Sequence, residues 1–127
     1  MKIVNNIVGG LLGLAFIAFS LMVLLHLGPT PPPPPAGSPV AMFMGVFAPT
    51  GWLTFVKTCE LIGGILVAIP LTRNVGLLFL CPIILNILAF HILVEKAEAF
   101  PIPFILALMA AYLILAARKQ FNGLLNR

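Results

Sequence analysis

Four long apolar runs, separated by short polar or proline-rich breaks, organise the chain. They cover about 5–27, 52–71, 75–94 and 102–117. A helix of ~20 apolar residues crosses the hydrocarbon core of a bilayer, so each run predicts a membrane span, the fourth somewhat short. Lys2 ahead of the first run would also suit a signal peptide. That apolar core is too long for one, however, and Ser38-Pro39-Val40-Ala41 lies too far downstream to be its cleavage site. A retained helix is expected.

The breaks carry their own instructions. Residues 28–39 hold Gly28-Pro29-Thr30, the run Pro31 to Pro35, and Ala36-Gly37-Ser38-Pro39. Proline lacks an amide donor and fixes φ, so this outer loop should be an extended polyproline strap rather than helix. Residues 40–48, VAMFMGVFA, are apolar but too few to span, which predicts an interfacial or re-entrant segment. Pro70 helps end the second run, Pro82 should kink the third near Leu78, and Pro101 and Pro103 open the fourth where proline is tolerated.

Composition sharpens the solvent question. Of 127 residues, 61% are hydrophobic and 8% charged, against roughly 25% charged in a soluble domain. The expected class is therefore all-α: one integral membrane domain over 1–127, a four-helix bundle with the additional short segment. Its first partner is the lipid bilayer. The net charge of +4 comes from seven Lys/Arg against three Glu, with no Asp. These basic residues sit singly at the ends of runs, which argues against a nucleic-acid face and instead sets orientation. Lys2, Arg73, Arg118, Lys119 and Arg127 gather on one side, Lys57 and Lys96 with Glu95 and Glu98 on the other. Both termini are thus expected on the cytoplasmic side of the membrane.

Charge inside a span marks the candidate chemistry. Glu60 and Lys57 lie one helical turn apart in the second run, and an intramembrane carboxylate costs ~3 kcal/mol on insertion scales. Counting at 1.5 Å per residue from the ends of the runs places Asn86 at about the depth of Glu60, with His91 and Lys57 nearer the outer surface. The expected polar site is Glu60 and Asn86, then His91 and Lys57. Asn86 and His91 differ by five positions, about 140° around a helix, so both cannot point straight at Glu60. The plainer alternative is an ion pair within one helix, with Asn86 as interhelical glue. Gly9 and Gly13 form one small-residue pair for close helix approach, and Gly63 and Gly64 another. Cys59 and Cys81 lie ~10 Å apart in depth by the same count, too far for a disulfide. Two cysteines and two histidines predict no metal site.

Residues 57–94 resemble the DoxX-like family of small four-span bacterial membrane proteins. The likeness rests on Lys57, Glu60, Leu61, Gly63, Gly64, Ile69-Pro70, Arg73, Gly76, Pro82, Asn86 and Phe90-His91. The proline strap has no counterpart in it. The resemblance implies a quinone-linked or redox-associated membrane subunit, with the polar site near a quinone head group. No flavin, haem or iron–sulfur motif is present, so electrons would come from a partner subunit. Two other readings stay open: a non-catalytic accessory subunit of a larger membrane complex, and a small-solute carrier acting as a homo-oligomer, since no internal repeat is evident.

Overall fold

The computed structural model describes residues 2–28, 33–94 and 101–124. Every regular element among them is helical: α1 (Lys2–Leu24), α2 (Pro39–Phe47), α3 (Trp52–Ala68), α4 (Arg73–Ala89), α5 (Pro101–Ala116) and α6 (Arg118–Asn122). A 3-10 turn, Pro70–Thr72, joins α3 to α4, and a π-helical turn, Phe90–Val94, extends α4. Pro29 to Pro32 of the strap, the charged turn Glu95 to Glu98, and Arg127 lie outside the described residues.

Two helices are long and apolar enough to cross a membrane, Lys2–Leu24 and the continuous Pro70–Val94. A third span results if α2 and α3 count as one, although they meet at 83°. The bend has a local cause. Pro49, Thr50 and Gly51 interrupt the apolar run, Thr50 Oγ1 donates to Val46 O at 2.7 Å, and Gly51 takes φ +86°, a left-handed conformation that glycine adopts without steric cost. At its other end α2 is capped by Ser38, whose hydroxyl accepts from Ala41 N at 3.2 Å, with Pro39 at the first helical position. α5 is apolar and shorter than a full span. α4 continues through Pro82 without interruption; its irregular part is the π turn at its end.

α1 packs on α3, α3 on α4, α4 on α5, and α5 back on α1. The core is Leu12, Phe16, Val67, Leu77, Leu80, Ile84, Ala110 and Leu113. Glycines bring α1, α3 and α4 together. A methyl group built on Gly13 would stand 2.5 Å from Gly64 O and 2.7 Å from Ala68 Cβ, so the α1 and α3 backbones touch. Gly63 abuts Leu80, and Gly76 abuts Val67. These contacts fix the antiparallel register of α3 against α4, setting Glu60 opposite 82–83 and Asn86 opposite 56–57.

Candidate functional site

Glu60 sits on the face of α3 shared with Gly63, Gly64 and Val67, all buried. Its carboxylate is 2% exposed. The partner is Lys57 one turn earlier, with Nζ 3.2 Å from Oε2 and 3.4 Å from Oε1. Lys57 keeps a fifth of its side chain accessible, so the ammonium leads outward from an otherwise closed position. The α1–α3 packing puts Ser20, also buried, at the height of Glu60; its hydroxyl donates back to Phe16 O.

The expected meeting of Glu60 with Asn86 does not occur. Asn86 is exposed on α4, where its amide donates to Pro82 O at 3.0 Å. It lines an open groove of about 420 Å³ between α3 and α4, walled by Trp52, Phe55, Cys59, Phe79 and Ile83, in which Glu60 takes no part. The physical reason is register. Counting inward from the ends of the apolar runs assumes that both helices end at one level, whereas the glycine contacts slide α4 so that Asn86 lies level with Lys57. The two side chains also occupy different sides of the α3–α4 pair. His91 stands in the π turn, half-buried, with Nδ1 2.8 Å from Ile87 O and its ring edge-on to Phe90. Of the four polar candidates, Lys57 and Glu60 come together.

Aromatic rings close the Trp52 end. Phe43 of α2 packs on Phe90 at 4.7 Å and on Phe47 at 4.4 Å, and Phe47, Trp52 and Phe55 follow at 5.8–5.9 Å. Through Trp52 and Phe55 this cluster forms one wall of the groove. Trp and its neighbours suit the height at which lipid gives way to head groups.

At the opposite end a second polar cluster appears that the chemistry of the spans did not suggest. Arg73, 8% exposed, donates from Nε to Val67 O at 2.9 Å and from Nη1 to Asn6 Oδ1 at 3.1 Å. Gly9, one turn after Asn6, gives up its side chain to make room for the guanidinium. Tyr112 of α5 donates to Asn5 Oδ1 at 2.9 Å. In sequence Arg73 served as a topology marker and as one of the residues of the family resemblance, not as a member of a polar site. The signal that could have found it is Asn6 and Gly9, an acceptor and a vacancy one turn apart at the same membrane level. Replacing Asn6 by Leu leaves Arg73 with one neutral acceptor and should cost about 1–2 kcal/mol, read as a lowered denaturation midpoint in detergent.

No family model, curated protein or solved structure matches the chain. Its chemistry rests on its own residues. Among those described, no three His, Cys, Asp or Glu side chains converge as metal ligands. The groove at Asn86 is concave, mostly apolar, and carries one polar group able to orient a ligand.

Proposed function

We propose that this chain is a four-span, DoxX-like subunit of a bacterial inner membrane, both termini cytoplasmic, and that its α3–α4 groove receives a quinone head group. The up-and-down packing of α1, α3, α4 and α5 supports four spans, and α5, at about 24 Å by its rise per residue, falls only modestly short of the hydrocarbon thickness. The groove is the observation that carries the ligand assignment. A quinone is a flat apolar ring with carbonyl acceptors. Trp52, Phe55 and Phe79 offer aromatic faces to the ring. Asn86 uses one amide hydrogen on Pro82 O and has a second for a carbonyl oxygen. When bound, the quinone would carry electrons and protons between partner subunits; this chain's own part is to hold and orient it. Asn86 thereby takes the role that the resemblance gave to a polar site of Glu60, Asn86 and His91.

Trp52, the only tryptophan, lines the groove, so its fluorescence reports occupancy directly. Titration of a short-chain quinone into the purified protein should quench it saturably. Asn86→Leu should weaken binding about fivefold, the worth of one hydrogen bond. Quenching that is unsaturable, or identical in Asn86→Leu, would remove the quinone assignment.

A second reading is favoured by Glu60 itself. Its charge is already met inside α3 by Lys57, as a purely structural subunit would require. Stable co-migration with larger membrane partners, together with the absence of quinone binding, would establish that role.

A further inference from the structure

Among the described residues, the Arg73 end of the protein carries cations without counter-charge. Lys2, Arg73, Arg118 and Lys119 all lie at this end, while Glu60, the sole carboxylate among the described residues, is thirteen positions from Arg73 along the chain and already paired with Lys57. Arg73 has only the neutral acceptors Val67 O and Asn6 Oδ1, and its Nη2 is buried without a partner. An unsatisfied, desolvated guanidinium is costly, and negative charge placed near it recovers part of that cost.

At the same end, on the α1–α5 side, lies a cavity of about 340 Å³ between the first turns of α1 and the last turn of α5, lined by Asn5, Tyr112, Leu115, Ala116 and Arg118. Its polar groups are donors. Tyr112 donates its hydroxyl hydrogen to Asn5 Oδ1, which fixes that oxygen toward the tyrosine and leaves the NH₂ group to donate. Arg118 spends Nη1 on Leu115 O, at 3.2 Å, and retains the rest of its guanidinium fork. Leu115 and Ala116 supply an apolar floor. Hydrogen-bond donors and an arginine above apolar carbon match a phosphate diester joined to acyl chains.

We infer that this cavity binds the phosphate of an anionic phospholipid, with Arg118 pairing with the phosphate oxygens, the Asn5 amide donating to them, and Leu115 and Ala116 meeting the first acyl carbons. The site is separate from the groove at Asn86 and does not depend on a quinone there. It also gives the unbalanced cations of this end their counter-ion, drawn from the membrane.

The test uses the full chain in nanodiscs containing equal amounts of phosphatidylglycerol and phosphatidylcholine, with retained lipid counted by native mass spectrometry. Wild type should retain phosphatidylglycerol preferentially, and Arg118→Gln should cut that preference about fivefold. Lys119→Gln removes the same charge one residue on, outside the cavity lining, and should leave the preference intact. Both residues are exposed, so neither change threatens folding. Equal losses in the two variants would show diffuse surface attraction and overturn the site. A second arm titrates inorganic phosphate alone into phosphatidylcholine nanodiscs while following the ring resonances of Tyr112, the only tyrosine. Phosphatidylglycerol should shift them and millimolar phosphate should not. Saturation by free phosphate, with no preference among lipids, would overturn the lipid assignment.

Discussion

Gly13→Val should destabilise the protein by about 3 kcal/mol or more, whereas Gly10→Ala, three residues earlier on the same helix, should change stability by less than about 0.5 kcal/mol. The contrast comes from what each position meets. A carbon added at Gly10 has nothing within 4 Å, while one at Gly13 meets Gly64 O at 2.5 Å, Ala68 Cβ at 2.7 Å and Ala68 N at 2.8 Å. Two of these three atoms are backbone, so no rotamer change can clear them. The reverse contact is equally close, since a carbon on Gly64 would stand 2.9 Å from Gly13 O. α1 must therefore move away from α3, and with it goes the packing of Phe16 and Leu12, both essentially inaccessible. In lipid, helix association relies on this kind of close contact because the tails compete equally well for apolar side chains. Denaturant titration in mixed micelles, followed by Trp52 fluorescence, measures both variants. Equal midpoints for the two would mean that α1 and α3 do not meet at Gly13.

Helices and their approximate limits were legible because proline, glycine and charge punctuate the apolar runs. Pro70, Pro101 and Gly51 all stand at element boundaries. Which side of each helix faces inward was not legible. α4 and α5 are apolar almost all round, so no polar stripe marks an outer face. Register was hidden for a related reason: it is set by where glycine admits a neighbour, as Gly63 admits Leu80 and Gly76 admits Val67, and not by where an apolar run happens to end. Asn86 was misplaced against Glu60 on both accounts, facing and register. Arg73 was overlooked because a basic residue in a turn between spans is expected at the surface. Burial became affordable for it only through Asn6 and Gly9, sixty-odd positions earlier.

The Lys57–Glu60 pair should show strong energetic coupling. Lys57→Met strands a carboxylate that has a single charged partner and 3% of its side chain exposed, and losing one member of such a pair costs about 3–5 kcal/mol. Glu60→Gln should cost distinctly less. Its amide fits the same space, and Lys57, with a fifth of its side chain accessible, can carry its ammonium outward along an apolar stem. Lys57→Met combined with Glu60→Gln removes both charges, and should recover most of what Lys57→Met alone loses. The resulting coupling energy should be at least about 2 kcal/mol, measured as a double-mutant cycle of unfolding free energies in one detergent. Additive losses would mean that Glu60 draws its stabilisation from something other than Lys57. The same cycle separates structure from ligand chemistry. If the doubly substituted protein regains stability and still binds quinone, the buried acid serves the fold alone. If it regains stability but loses quinone, the Lys57–Glu60 pair acts on the groove at Asn86 through α3.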